Sequence, residues 1–189
     1  MLVDYQIDDA VMNGPLRITP YDVARVQPAS YDLALGEVLR VPKRGVKWLN
    51  PFSQYDPAEV QHDFRWPYEY TEEVKADGFS LHPGQFILAS TAERIKLPST
   101  MAARVEGKSS LGRLGIMVHI TAGFIDPGFE GEITLEIYNA APWEFPLEPG
   151  MLIAQLCFFG CAAPVKDYAQ TGRYQGQTGP QESRYSPRG

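Results

Sequence analysis

Residues 121–138 read T-A-G-F-I-D-P-G-F-E-G-E-I-T-L-E-I-Y, and the second half of this run decides the fold class. From Glu132 to Tyr138 polar and apolar residues alternate, the two-residue period of a half-buried β-strand. Ile133, Leu135 and Ile137 share one face, while Thr134, Glu136 and Tyr138 share the other. Upstream, Asp126-Pro127-Gly128 places proline and glycine where a type II turn wants them. Local pattern leaves two equal readings of that turn: a plain hairpin turn in which Asp126 bonds its own loop, or a functional loop.

The same grammar extends outward. Ser30 to Leu35 alternates, with Tyr31, Leu33 and Leu35 on one side. Gln85–Ala89 and Met101–Val105 read as short strands, Ile116–Ile120 as an apolar β-branched strand, and Met151–Phe159 as a long, almost fully buried one. Breakers such as His82-Pro83-Gly84, Asp126-Pro127-Gly128 and Glu148-Pro149-Gly150 separate them. Helices are few: Asp4–Asn13, with Asp4 as cap, Ile7, Ala10 and Val11 on one face and Gly14-Pro15 ending it, and a helical turn within Thr19–Arg25. The expectation is a mainly β fold, a distorted barrel or jelly-roll-like sandwich with a few short helices. The 189 residues suit a single domain, 1–189. Pro42–Gly78 lacks a period and reads as an irregular excursion. Pro164–Gly189, rich in Gly, Gln, Ser and Arg, reads as a flexible tail that forms no core of its own.

Composition excludes several functions. A formal net charge of −6 argues against a protein that grips nucleic acid by its phosphates, so an anionic ligand would need a local basic pocket. No stretch approaches the roughly 20 apolar residues of a membrane helix. Met1–Asp9 lacks the pattern of a secretory signal, which predicts a cytoplasmic protein. Cys157 and Cys161, spaced C-x3-C inside an apolar run, read as buried free thiols rather than zinc ligands. His62, His82 and His119 have neither triad nor ligand spacing, and His119 reads as a hydrogen-bonded, half-buried residue. No H-x-E with P-C-x-x-C is present, so the zinc-type nucleoside deaminases are excluded.

Chemistry-bearing residues are densest in Arg104–Gly115, R-V-E-G-K-S-S-L-G-R-L-G. Gly107-Lys108-Ser109 looks like the end of a P-loop, but Ala102 stands where its first glycine belongs and no βαβ pattern follows. The segment still offers what an anion site needs. Lys108 and Arg113 supply charge, Ser109 and Ser110 supply hydroxyls that can cap a short helical turn, and Gly112 permits close approach. Taken alone, a capped surface turn is the favoured reading. Glu136 on a polar strand face is ordinarily a solvated residue. Its strand neighbours Ile116–Ile120 across the Asp126 turn, which puts it on one hairpin with Ala122 and Gly123.

Five blocks taken together say more: Gln27–Gly36 (Q-P-A-S-Y-D-L-A-L-G), Arg104–Gly115, Thr121–Glu136, Pro149–Phe158 (P-G-M-L-I-A-Q-L-C-F) and Arg173–Gln177 (R-Y-Q-G-Q). In this order, over nearly the whole chain, they closely resemble the dCTP deaminase family of the dUTPase superfamily. The resemblance implies a dUTPase-like β-clip fold in a homotrimer with active sites between subunits. It implies hydrolytic deamination of dCTP to dUTP and ammonia in the supply of dUMP and dTTP. No metal would come from the protein, zinc included, because Mg²⁺ rides on the triphosphate, and dTTP would feed back. Matched by position, Glu136 is the catalytic acid/base, and Ser109, Arg113 and the Ala122 carbonyl surround the reacting water and ring. Asp126 binds the 3′-hydroxyl. Lys108, Ser109, Ser110, Leu111, Gly112, Arg113, Thr134, Leu135 and Gln155 bind nucleotide, and Tyr168, Arg173 and Gln177 lie on the tail that closes over the triphosphate. Arg173 stands where many relatives have lysine. Gly123-Phe124 matches the branch that also cleaves the triphosphate and releases dUMP; the strictly deaminating branch has bulkier, polar residues there.

The chemistry agrees with those roles. Without a metal to acidify water, a carboxylate must take the proton from water attacking C4 and return it to the ring nitrogen and the departing ammonia. Burial would raise the pKa of Glu136 and nearby Arg113 would lower it. Two alternatives stand beside this: a plain dUTPase, which needs no acid/base at C4, and a nucleotide-binding regulator or inert β-sandwich, which would tolerate loss of Glu136. Ammonia release from dCTP separates the first from a deaminase.

Overall fold

The computed structural model describes residues 1–44 and 70–185. Its elements are α1 (Asp4–Met12), β1 (Arg17–Thr19), a 3-10 turn (Val23–Arg25), β2 (Val26–Gln27), β3 (Ser30–Pro42), β4 (Thr71–Lys75), β5 (Phe79–Leu81), β6 (Phe86–Lys96), β7 (Met101–Gly107), α2 (Ser109–Gly112), β8 (Ile116–Met117), β9 (Phe124–Ile125), β10 (Glu130–Asn139), β11 (Phe145–Leu147), β12 (Leu152–Gly160) and α3 (Tyr168–Thr171). The expected mainly β fold is what the chain forms. One ten-stranded sheet runs β8-β10-β6-β3-β12-β7-β9, with β1 on β6 and β2 and β4 on β3, while β5 and β11 form a small ribbon. The core holds the inward faces of these strands, with Leu33, Leu35, Ile87, Leu135, Ile137, Leu156 and Phe158 all fully buried.

The sheet curls at β6. Thr134 of β10 pairs with Ser90 of β6 but Glu132 pairs with Arg94, so Thr91–Glu93 arch out opposite Ile133 alone. Such irregularities bend strands. The Ile133 N–H, deprived of a ladder partner, donates to Thr91 Oγ1 at 2.9 Å. Glu93 in the arch is fully buried. It accepts the Ala34 N–H at 3.0 Å and holds the Arg25 guanidinium, which ties the 3-10 turn to the sheet.

Several boundaries differ from the sequence reading, each for a physical reason. β3 continues to Pro42, and its first seven residues are buried on both faces, so the Tyr31–Leu33–Leu35 alternation shows only one of two covered faces. β8 stops at Met117 rather than Ile120 and pairs only with Tyr138 and Asn139. β9 then crosses to β7, so the strand entering the Asp126 turn pairs elsewhere, and the expected pairing of β10 with Ile116–Ile120 holds at residues 116 and 117. That turn has its expected form, with φ +85° at Gly128 and the Phe129 N–H donating to the Asp126 carbonyl at 3.3 Å. α1 is capped by Val3, with Asp4 as its first helical residue.

β12 alternates instead of being nearly all buried. Cys157 points to its outer side and is half-buried, and Cys161 lies beyond the strand end and is exposed, so neither is the buried thiol expected. Of the Pro42–Gly78 excursion, residues 45–69 lie outside the described residues. Its C-terminal part is regular: β4 pairs with the end of β3, Thr71 opposite Pro42 and Val38 opposite Lys75. β4 is mostly charged, and only Thr71 is buried, which is why no apolar period marked it.

The tail forms no core of its own, as its composition predicts, but it is laid against the body. The Tyr168 N–H donates to the Pro127 carbonyl at 2.8 Å. Beyond α3 the chain runs along β10, with the Gly176 N–H on the Glu130 carbonyl at 2.7 Å and the Glu132 N–H on the Gln177 carbonyl at 3.1 Å.

Candidate active site

The polar face of β10 floors a cavity of about 460 Å³ into which Thr134 and Glu136 project, a volume that suits a nucleoside-sized ligand. Ala122, Phe124 and Asp126 of the segment entering the turn form one wall; Tyr168, Tyr174, Gln177, Gln181 and Ser183 of the tail form the opposite one. Alternation produces this arrangement: with Ile133, Leu135 and Ile137 buried in the core, Thr134 and Glu136 must face out.

Glu136 and Asp126 are the carboxylates among the described lining residues, and Glu136 lies on the floor. Burial pushes the Glu136 pKa above the ordinary carboxylate value, while the Ile120 N–H and nearby His119 partly offset that. The Ile120 N–H donates to Oε2 at 3.4 Å. The expected offset from Arg113 is not seen within one chain. His119 is half-buried as expected, but its Nδ1 is buried without a hydrogen-bond partner, which corrects the hydrogen-bonded reading. Gly123 is required by crowding: a Cβ there would lie 2.6 Å from the Val105 carbonyl oxygen and 3.3 Å from His119 Cε1. Its own carbonyl accepts the Val105 N–H at 2.8 Å.

Tail contacts complete the enclosure. Gln177 Nε2 donates to the Glu132 carbonyl at 2.5 Å, the Gln181 N–H donates to Thr134 Oγ1 at 3.1 Å, and the Tyr168 hydroxyl accepts the Tyr174 N–H at 3.2 Å. Burial raises the Tyr168 pKa, so its phenol stays neutral and available as a donor.

The structure thus brings together Ala122, Phe124, Asp126, Thr134, Glu136, Tyr168 and Gln177, with Gly123 packed behind them. It does not bring Lys108, Ser109, Ser110, Leu111, Gly112 or Arg113 to the cavity of the same chain. Ser109, Ser110, Gly112 and Arg113 are exposed. α2 starts from Lys108 with no side-chain cap, so Ser109 and Ser110 lie inside the helical turn rather than capping it. Lys108 Nζ sits 2.6 Å from Oδ1 of Asp32, a buried carboxylate; the approach is a charge contact rather than an aligned hydrogen bond. Gln155 braces the same loop from below, accepting from Ser30 Oγ at 2.9 Å and donating to the Gly107 carbonyl at 3.3 Å. Leu135 is fully buried in the core, so its side chain is a packing group and any ligand contact falls to its backbone. Arg173 donates to the Arg184 carbonyl at 3.1 Å and does not line the cavity.

Sequence reasoning missed Tyr70, Tyr174, Gln181 and Ser183 in the cavity wall, and Asp32 beneath Lys108. Only Asp32 left a signal, as the one charge in the run Ser30–Gly36. In the stretch that follows the cationic loop, Leu114, Met117, Ile120 and Phe124 are 44%, 42%, 47% and 60% exposed, large apolar side chains between the loop and β10 in sequence. A desolvated carboxylate in a nucleoside-sized cavity can accept and return a proton.

A family model described as dCTP deaminase-like matches residues 1–161. Proteins of Parafrankia sp. (strain EAN1pec) and Tropheryma whipplei (strain Twist), both named dCTP deaminase, dUMP-forming, are 45% identical to this chain over 97% of it and over 90% and 91% of their own lengths. Among solved structures, the 2′-deoxycytidine 5′-triphosphate deaminase of Agrobacterium tumefaciens matches with a TM-score of 0.60 at 25% identity, over 83% of this chain. This chain spans 46% of that structure's length.

Proposed function

This chain belongs to the dCTP deaminase-like family, and from that premise we propose that it hydrolyses dCTP past dUTP to dUMP, ammonia and pyrophosphate. The observation that carries the reading is Glu136, a carboxylate lining a nucleoside-sized cleft on a core-anchored strand, with its pKa raised by burial. Water attacks C4 of the cytosine ring as the Glu136 carboxylate takes its proton, and the glutamic acid so formed protonates the ring nitrogen N3. When the C4–N4 bond breaks, the remaining hydroxyl proton passes through the same carboxylate to the leaving ammonia. Burial raises the pKa of this carboxylate, so it holds the proton it takes more firmly than an exposed glutamate would. Ala122 offers its carbonyl to the water, and Asp126 on the cavity rim takes the deoxyribose 3′-hydroxyl.

The second half of the reaction adds another water to the triphosphate, breaks the bond between the α-phosphorus and its bridging oxygen, and expels pyrophosphate. The relatives' names and the glycine at position 123 favour this branch over dUTP release. A bulkier residue at 123 would push against Val105 and His119. Mg²⁺ belongs to the substrate, carried by its phosphates.

The cationic loop Lys108–Arg113 completes the site from a neighbouring copy. Within one chain it stands outside the cavity, and the exposed apolar side chains that follow it in sequence are of the kind an oligomer covers. A homotrimer with shared sites satisfies both facts, with Ser109 and Arg113 brought to Glu136 from the next subunit. Tyr168, Gln177 and Arg173 ride on the tail that covers the triphosphate. dTTP, which shares the deoxyribose and triphosphate, is the expected feedback ligand of the same pocket, and the cytoplasm is the expected compartment.

The test is incubation of pure protein with dCTP and Mg²⁺, with dUTP, dUMP, pyrophosphate and ammonia scored by chromatography. Ammonia with dUMP and pyrophosphate in step supports the proposal. Accumulating dUTP reduces it to deamination alone, and no ammonia removes it.

A further inference from the structure

Gln181 and Ser183 line the cavity wall, while Glu182 between them points the other way. It is buried, with a side chain only 7% exposed, against the β3–β4 hairpin. A carboxylate taken out of water is costly unless charge and hydrogen bonds compensate it, and here they do. Glu182 Oε1 accepts the Thr71 N–H at 2.8 Å and the Thr71 hydroxyl, with Arg40 Nη2 at 3.7 Å. Arg40 also donates through Nε to Thr71 Oγ1 at 2.8 Å and pairs with Glu73 at 3.2 Å, so its guanidinium sits between two carboxylates and is itself held. Flanking bonds fix the register. The Gln181 N–H is on Thr134 Oγ1, and the Ser183 N–H meets the Tyr70 hydroxyl at 3.0 Å. Arg184 then turns back, its N–H on the Tyr174 hydroxyl at 2.7 Å and its guanidinium 5.5 Å from the Tyr174 ring centre.

We propose that Glu182 is a positioning residue, a latch on the β3–β4 hairpin that holds the tail over the Glu136 cavity and thereby helps retain the nucleotide. The latch lies beyond residue 161, where the family match ends, and none of its atoms meets the reacting groups. Glu182 acts through Gln181, Ser183 and the β10 edge they cover. A pocket wall made of tail residues needs such an anchor, because beyond Tyr168, which packs on Phe129, the tail is mostly polar and glycine-rich. The inference rests on the proposed function only for what the cavity holds.

The experiment uses the full chain and compares Glu182→Ala, Glu182→Gln and Thr71→Val with the parent. Trypsin cleavage after Arg173 and Arg184 reads the latch without any turnover. It should quicken about tenfold in Glu182→Ala, the size of one buried charge-assisted hydrogen bond lost. Glu182→Gln, which keeps an acceptor for Thr71 but loses the attraction to Arg40, should fall between it and the parent. The KM for dCTP should rise about tenfold while kcat changes by less than about twofold, the signature of lost uniform binding. An unchanged cleavage rate overturns the latch whatever the activity does. Faster cleavage with an unchanged KM overturns its part in nucleotide retention. A parent that releases no ammonia from dCTP fails the proposed function, and the cleavage rate still decides the latch.

Discussion

Replacing Glu136 by glutamine tests the central chemistry with little structural disturbance. The side chain keeps its size, and the amide oxygen can still accept the Ile120 N–H that reaches Oε2 at 3.4 Å. What disappears is the group that takes and returns the proton. General acid–base catalysis contributes about 10²–10⁴-fold. With every proton transfer of the deamination assigned to one carboxylate, kcat should fall about a thousandfold, a barrier increase of about 4 kcal/mol. The KM should stay within about threefold of the parent. Stability should move the opposite way. Burial raises the Glu136 pKa in the folded chain, so the folded state favours the neutral acid. That contribution is fully present below the ordinary carboxylate value of 4.5 and is lost as pH rises through the raised folded value, where the desolvated carboxylate ionises. Glutamine never ionises, so Glu136→Gln should melt above the parent at about pH 8, and the gap should close at about pH 4. Ammonia release, equilibrium dCTP binding and thermal melts at both pH values provide the readings. A variant retaining more than about a tenth of parental kcat, or a melting gap that widens in acid, would refute the reasoning.

Leu135→Ala should cost about 2–5 kcal/mol, because it opens a cavity in the packed core. Thermal melts should show a fall of about 5–15 °C, while the folded fraction keeps its KM, as expected of a packing residue. Gly123→Ala should lose about 1–3 kcal/mol through overpacking, since its Cβ would lie 2.6 Å from the Val105 oxygen; chromatography of the products should show the balance moving from dUMP toward dUTP. Co-expressing Glu136→Gln with Arg113→Ala, each inactive alone, should recover activity at about a quarter of the sites if neighbouring copies share them. No recovery in mixed oligomers would place the cationic loop and the carboxylate in one subunit.

The parts of this molecule legible in its sequence are those where one face of an element meets the core. β10 was readable because Ile133, Leu135 and Ile137 must be buried together, which turns Glu136 outward without further information. The Asp126 turn was readable because proline and glycine restrict φ at known positions. Val118 and Ile120 misled because apolar β-branched residues favour strands in general, whereas here the Ile120 N–H goes to the Glu136 carboxylate instead of a ladder. β4 was illegible because an edge strand of charged residues carries no period. Arg113 and Glu136 were matched to one site by position, but within one chain Arg113 stands outside the cavity that Glu136 lines, a separation that sequence spacing does not record. Glu182 resembled any solvated residue of a polar tail. Its burial depends on Thr71, 111 residues away in sequence.

The tail also completes a sheet. Gly176 and Gln177 occupy backbone groups along the margin of β10 that no strand among the described residues covers until β8 begins its pairing at Tyr138. A chain cut after Thr171 would bare that margin beside the aromatic groups of the cavity, the kind of naked strand edge on which other chains template themselves. The seated tail therefore guards the sheet against self-association, and a shortened chain should precipitate on storage even where its folding stability is intact.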